Sequence, residues 1–131
     1  MNSDRGQEVD VTEYICHVLI IEDEWLIAEL IRHHLETLGA TSIDYAMTQT
    51  EPVALAIAHK PEVITSGVKL IEGTRPLAVR AIHEEVGPIP IIYITATPDD
   101  CSSCEHSIAT LSKPVTYGAL ADAIAIARTA L

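Results

Sequence analysis

The chain alternates short, continuous apolar runs with longer segments whose apolar residues recur at helical spacing. The run His17-Val-Leu-Ile-Ile21 is rich in branched residues and is typical of a strand buried on both faces. Residues 26–38 instead repeat their apolar side chains every three or four positions and stop at Gly39. This pattern predicts a helix with a glycine at its carboxyl end.

The rest of the sequence continues the alternation. Further strands are predicted at residues 42–46, 62–66, 89–95 and 108–111. Further helices are predicted at residues 52–59, 76–86, 99–106 (short and weakly patterned) and 117–131. Strands that alternate with helices predict an α/β fold with a five-stranded parallel sheet, doubly wound so that helices cover both faces. In such sheets ligands bind at the carboxyl ends of the strands.

Length and charge narrow the function classes. The 131 residues fit one domain, which we place at residues 15–131, preceded by a flexible acidic extension at residues 1–14. The net charge of -11 opposes binding to nucleic acids and to anionic membranes and favours basic protein partners. No apolar run approaches the roughly 18 residues of a membrane span. Three cysteines without an export signal indicate reduced thiols in the cytoplasm.

The candidate site residues stand at the carboxyl ends of four of the predicted strands. Glu22 and Asp23 follow the first strand, Gly67 follows the third, Thr95 ends the fourth, and Lys113 follows the fifth. Because the carboxyl ends of parallel strands lie at one edge of a sheet, these distant residues are expected to form one pocket.

The segments Val18-Leu-Ile-Ile-Glu-Asp-Glu24, Pro90-Ile-Ile-Tyr-Ile-Thr-Ala96 and Ser112-Lys-Pro114 carry a family resemblance. Together, in this order and spacing, they resemble the receiver domain of two-component response regulators, from about Cys16 to Leu131. The resemblance implies a flavodoxin-like sheet of strand order 2-1-3-4-5, a bound Mg²⁺ ion, and phosphoryl transfer from a histidine to an aspartate. It implies signalling rather than enzymatic activity.

Chemistry explains why the family pattern uses these residue types at these positions. Mg²⁺ prefers oxygen ligands, and the resemblance assigns it to Glu22, Asp23 and the backbone carbonyl of Lys69. Thr95 and Lys113 would stabilise the phosphoryl oxygens by charge and hydrogen bonding. Pro114 resembles the family's cis-proline, which directs the lysine inward.

The departure from the pattern is Gly67, which stands where the family has its phosphate-accepting aspartate. Glycine can neither attack phosphorus nor ligate a metal through a side chain. We therefore expect a degenerate receiver that is not phosphorylated there and whose Mg²⁺ binding is doubtful. Lys69 or Lys113 could then neutralise Glu22 and Asp23 directly.

Several alternatives stay open at this stage. A neighbouring side chain such as Ser66, Thr65 or Glu72 could replace the missing acceptor, and Gly67 could be a laboratory substitution. The acid pair could equally be a solvated strand end that suits the dipole of the following helix. A small flavodoxin-like ligand-binding module is a further alternative, although Glu22-Asp23-Glu24 stands where it would need a glycine-rich phosphate loop.

Two other features invite sharper interpretations. Trp25, the only tryptophan, is interpreted as a partly buried residue at the core edge, with a pocket lid or partner anchor as the alternative. Cys101, Cys104 and His106 have zinc-ligand chemistry, but a fourth ligand is not evident, so ordinary loop residues are favoured.

The last helix has two apolar stripes. One consists of Leu120, Ile124, Ala127 and Leu131, and the other of Ala119, Ala123, Ile126 and Ala130. One stripe is expected to cover the sheet and the other to support a homodimer. Thr110 stands where the family has an aromatic switch residue, which weakens any expectation of the usual threonine–aromatic coupling. The expected partners are a histidine kinase, a phosphotransfer protein or another regulator.

Overall fold

A computed structural model describes residues 17–47, 51–67, 69–70, 73–96 and 107–130. Its strands are β1 (His17–Ile21), β2 (Ser42–Ala46), β3 (Val63–Ser66), β4 (Lys69–Leu70), β5 (Gly73–Thr74), β6 (Ile91–Thr95) and β7 (Ser107–Ser112). Its helices are α1 (Trp25–Thr37), α2 (Glu51–Ala58), α3 (Arg75–Val86) and α4 (Tyr117–Ala130). The predicted extension at residues 1–14 and the predicted helix at residues 99–106, with Cys101, Cys104 and His106, lie outside the described residues.

Five of the strands form one parallel sheet in the order β2-β1-β3-β6-β7. Since β6 and β7 are the fourth and fifth strands of this sheet, the predicted order 2-1-3-4-5 is confirmed. The antiparallel pair β4–β5 was not predicted, because the sequence after Gly67 was interpreted as a loop. A two-residue strand is too short for side-chain alternation to reveal it.

The core lies in two layers, one on each face of the sheet. Alternation along β1 sends Val18 and Ile20 into a cluster with α1 and α4, and sends Leu19 and Ile21 into a cluster with α2 and α3. All five residues of β1 are buried, which is why residues 18–21 are continuously apolar and show no polar face.

Two helix ends are set by local chemistry. Gly39 has φ 109° after α1, and the N–H groups of Gly39 and Ala40 donate to the carbonyls of Glu36 and Leu35, so the predicted glycine cap is confirmed. At the start of α4, the Thr116 hydroxyl accepts a hydrogen bond of 3.1 Å from the Ala119 N–H. Thr116, three residues after Lys113, thereby fixes the start of α4 at Tyr117.

The two-stripe interpretation of α4 is right in part. Leu120, Ile124 and Ala127 are buried against the sheet, and Ile126 is 48% exposed. Ala123, which belongs to the same predicted stripe as Ile126, is buried as well, because the inward face of the helix is wider than one row of side chains. Across the described ranges, no helix combines the length and the apolar character that a membrane span requires.

The glycines at 87 and 118 allow a matched test of backbone conformation. Gly87 has φ 94°, and a Cβ built on either glycine meets no atom within 4 Å. Gly87→Ala should therefore cost about 1 kcal/mol of unfolding free energy through backbone strain alone. Gly118→Ala, inside α4, should raise it by roughly 0.5–1 kcal/mol. Urea unfolding measures both changes, and equal effects would contradict the assigned backbone conformations.

Candidate functional site

The carboxyl edge of the main sheet brings the predicted site residues together. Glu22 and Asp23 directly follow β1, and Gly67 directly follows β3. The Gly67 N–H donates to the carbonyl oxygen of Ile21 over 3.0 Å, in continuation of the register that pairs Ile21 with Ser66. Gly67 is buried and lies beside the strand end that carries the two acids.

The opposite side of the pocket is formed by β6 and β7. Thr95, the last residue of β6, is 7% exposed. The Lys113 N–H donates to the Thr95 carbonyl oxygen over 2.9 Å, so the backbone fixes the lysine next to the threonine. The peptide bond between Lys113 and Pro114 is cis.

The Lys113 side chain reaches across this edge to the acids of β1. Its Nζ lies 3.2 Å from Glu22 Oε2 and 2.9 Å from Glu24 Oε1. The Glu22 side chain is 1% exposed, the Lys113 side chain 20% and the Glu24 side chain 61%. The pairing with Glu22 agrees with the expectation that a lysine neutralises the acid pair.

Glu24 is the residue that the sequence interpretation missed as a partner of Lys113. Its own N–H donates to Glu22 Oε2 over 3.1 Å, so Glu24 supports the buried carboxylate with its backbone while its side chain binds the lysine. The signal in the sequence that could have indicated this partner was the position of Glu24, two residues after Glu22. At the sequence level, an acid there equally suits the first turn of a helix.

The charge of Lys113 responds to two opposing effects. Burial alone would lower the pKa of Lys113, but hydrogen bonds to Glu24 and Glu22 and the charge of Glu22 outweigh burial and raise its pKa. Because the folded pKa of Lys113 lies above the unfolded one, the stabilisation that the lysine charge contributes is fully present below the unfolded value and is lost as the pH rises through the folded pKa. Lys113 is therefore charged at neutral pH.

The residues before Gly67 offer no exposed hydroxyl. Thr65 and Ser66 are 0% and 1% exposed. The Ser66 hydroxyl donates to the Gly67 carbonyl oxygen over 2.8 Å. Both hydroxyls are thus enclosed within the sheet. Glu72, the third residue considered as a substitute acceptor, lies outside the described residues.

Lys69 lies in a short strand and not in the loop that was predicted. Its backbone belongs to β4, where Lys69 is paired with Thr74 of β5. Its side chain lies outside the described part of the structure. The assignment of its carbonyl to a metal stays a prediction.

The fit of these residues to a Mg²⁺ ion is poor. Glu22 and Asp23 are the carboxylates that would hold it, and Gly67 adds no third side-chain oxygen. The Lys113 ammonium is 3.2 Å from Glu22 Oε2, where its positive charge opposes a divalent cation. Mg²⁺ demands near-ideal octahedral oxygen ligation, and this donor set is one carboxylate short of the set that the family resemblance implies.

The start of α1 presents apolar side chains beside the acids. Trp25 is 56% exposed and Leu26 is 80% exposed. The Trp25 ring lies against Tyr45 of β2, with ring centroids 5.8 Å apart. Trp25 thus contacts Tyr45 and leaves more than half of its surface open to solvent.

Comparison with known proteins places this geometry in a family, although no protein-family model matches the chain. The phyllosphere-induced regulator PhyR of Methylorubrum extorquens is 34% identical over 97 residues, which are 73% of this chain and 36% of that protein. The crystal structure of the anti-anti-sigma factor PhyR from Bartonella quintana is 31% identical with a TM-score of 0.76, covering 92% of this chain and 50% of that one.

A third match has nearly the same length as this chain. The solution structure of the Erythrobacter litoralis PhyR response regulator REC domain is 26% identical with a TM-score of 0.77, covering 87% of this chain and 90% of that one. The chain spans half or less of the two longer relatives, so the likeness concerns one of their domains. The strand order, the residues at the carboxyl edge and these similarities agree, and the chain belongs to the receiver domains of response regulators.

Proposed function

We propose that this receiver works in two-component signalling through protein–protein contact, without accepting a phosphoryl group at position 67. The observation that carries the proposal is Gly67 itself, which is buried beside Glu22 and Asp23 and has no side chain to phosphorylate. Acyl phosphate formation needs a carboxylate that attacks phosphorus. The hydroxyls of Thr65 and Ser66 are enclosed and do not replace it.

The position of Lys113 supports the same proposal. In a phosphorylated receiver, a lysine at this position would bind phosphoryl oxygens. Here its ammonium binds Glu22 and Glu24 at 3.2 and 2.9 Å. An ammonium placed between two carboxylates neutralises part of their charge without a metal or a phosphate. We propose that this contact holds the loops after β1 and β7 in one arrangement.

Mg²⁺ has a restricted role in this proposal. Receiver domains typically bind Mg²⁺ at acidic residues, and Glu22 and Asp23 are the residues that would hold it here. An ion bound there would neutralise the acid pair. To approach Glu22, it would have to compete with Lys113, so we propose weak binding at most.

The proposed partner is a signalling protein. The relative from Bartonella quintana is named an anti-anti-sigma factor, but this chain covers half of that protein, and the activity of the whole is not transferred. Trp25 and Leu26 offer exposed apolar area next to the pocket, and a net charge of -11 favours a basic partner surface. A histidine kinase, a phosphotransfer protein or another regulator in the cytoplasm would suit this surface.

Self-association through α4 is the second contact that we propose. Ile126 is 48% exposed on a helix whose inner face is already buried against the sheet. The neighbouring Ala125 is also exposed, and a small residue beside the isoleucine lets two helices approach closely. The proposed homodimer would therefore use the α4 face and leave the α1 surface open.

Phosphorylation is tested with acetyl phosphate and Mg²⁺, followed by intact mass. We expect no phosphoryl mass on the chain, a gain of one on Gly67→Asp, and none on Gly67→Asn, which adds a similar side chain without the charge. A gain on the chain itself would refute the proposal. An inert Gly67→Asp would show that position 67 does not face the acid pair.

Mg²⁺-dependent quenching of Trp25 fluorescence should likewise appear in Gly67→Asp and be small in the parent.

The stabilising role of Lys113 is tested by removing its charge. Lys113→Met should lower the unfolding free energy by about 3 kcal/mol, because it leaves the buried Glu22 carboxylate without its ammonium. Glu24→Gln should cost less than about 1 kcal/mol, since Glu24 is mostly exposed. The double variant Glu22→Gln/Lys113→Met should recover part of the loss. Urea unfolding followed by circular dichroism measures all three, and equal losses in the two single variants would contradict the assignment.

The homodimer is tested by sedimentation velocity over a range of concentrations. Ile126→Glu should shift the chain from dimer to monomer, because a charge at the centre of an apolar contact is costly. Ile57→Glu is the matched control, since Ile57 on α2 is 56% exposed and lies outside the α4 face. A chain that is monomeric at every concentration, or a dimer that survives Ile126→Glu, would exclude this interface.

A further inference from the structure

Metal-ligating side chains converge at the end of the sheet opposite to the acid pair. His17 begins β1, Ser42 begins β2 as its register partner, and Asp44 lies two residues further along β2 on the same face. His59 directly follows α2, and its N–H donates to the Leu55 carbonyl oxygen over 2.9 Å. One ligand atom from each of His17, Asp44 and His59 lies within 4.8 Å of the others.

The contacts within this cluster hold His17 in one orientation. Its Nδ1 is 2.8 Å from Ser42 Oγ, and its Nε2 is 3.1 Å from Asp44 Oδ2. The His17 side chain is 5% exposed and the Asp44 side chain 33%. The His59 ring is stacked on the His17 ring, with centroids 3.5 Å apart and an interplanar angle of 11°. A buried imidazole is thus fixed by strand residues and covered by an exposed one.

The spacing of two of these atoms is close to that of metal ligands. Two ligands of a tetrahedral ion with bonds of about 2.0–2.1 Å are roughly 3.3 Å apart. His17 Nε2 and Asp44 Oδ2 are 3.1 Å apart, so these two atoms already lie near the separation of two ligands of one ion. Ser42 then binds the other ring nitrogen of His17, which is the outer contact that orients most metal-bound histidines.

The third ligand needs a rotation. Parallel stacked rings cannot both direct a nitrogen lone pair at one ion, because each lone pair lies in the plane of its own ring. His59 is exposed and follows the end of α2, so its ring is free to turn while its backbone stays bonded to Leu55. Two imidazoles and one carboxylate leave a fourth position for water, as in known zinc sites with three protein ligands.

We propose that His17, Asp44 and His59 form a binding site for a first-row divalent transition-metal ion, with Zn²⁺ as the representative ion. Imidazole ligands favour Zn²⁺, Cu²⁺ and Ni²⁺ over Mg²⁺, so this site differs in chemistry from the acid pair at the opposite edge. A bound ion would join β1, β2 and α2 by three bonds. The inference does not depend on whether the chain is phosphorylated.

Calorimetric titration with ZnCl₂ at neutral pH tests the site. The chain of 131 residues carries Cys16→Ser, Cys101→Ser and Cys104→Ser in every calorimetric sample, because thiols bind Zn²⁺ independently. We expect one ion per chain. His59→Ala and Asp44→Asn each remove a ligand and should lower the affinity by more than about tenfold, and Ser42→Ala should lower it by roughly 10–100-fold.

The double variant His33→Ala/His34→Ala is the matched control. It removes two adjacent histidines on α1, outside the cluster, and should leave the affinity unchanged. In the parent chain with its cysteines intact, Zn²⁺ should shift the NMR signals of the His17 and His59 imidazoles but not those of His33 and His34. No Zn²⁺ binding by the cysteine-free chain, or full affinity in His59→Ala, would overturn the proposal.

Discussion

The ion pair between Lys113 and Glu22 is the contact on which the carboxyl edge of this receiver depends. The Glu22 carboxylate is almost completely removed from water, and a buried charge without a partner would be strongly destabilising. The partner is 91 residues away in sequence, on the loop after the last strand of the sheet. One ion pair therefore ties the end of the first strand to the loop after the last strand, across the rim at which the parallel strands end.

A lysine in that position changes what the pocket can do. In the receiver pattern, charge at this edge is shared among carboxylates, a metal ion, a phosphoryl group and the lysine. Here Gly67 offers no side chain at this edge, and the lysine binds Glu22 and Glu24, which follow the first strand, directly. The proposed function follows from this arrangement of charges. Acids that a lysine already neutralises in part have less need of a metal ion or a phosphoryl group. The proposed regulation then depends on what binds the surface of the domain.

Polar clusters lie at both ends of the first strand, and they differ in chemistry. The carboxyl end carries acids and a lysine, whereas the amino end carries two imidazoles, a hydroxyl and an aspartate. Between them, residues 18–21 are apolar and buried in two separate core layers. Close packing of the core keeps this strand rigid between the two clusters. The backbone positions of both clusters therefore stay fixed when their side chains rotate.

The sequence by itself determined the alternation of strands and helices, the strand order and the rim position of Glu22, Gly67, Thr95 and Lys113. Each of these follows from local periodicity, from strand-end chemistry or from resemblance carried by contiguous segments. The strand pair β4–β5 was missed because two-residue strands leave no periodic signal, and the burial of Ala123 was not predicted because alanine suits either face of a helix. Tertiary structure decided which acids meet Lys113, and it added Glu24 to Glu22. It also stacked His59 on His17, since ring contacts between a strand and a helix depend on packing angles that no sequence spacing encodes.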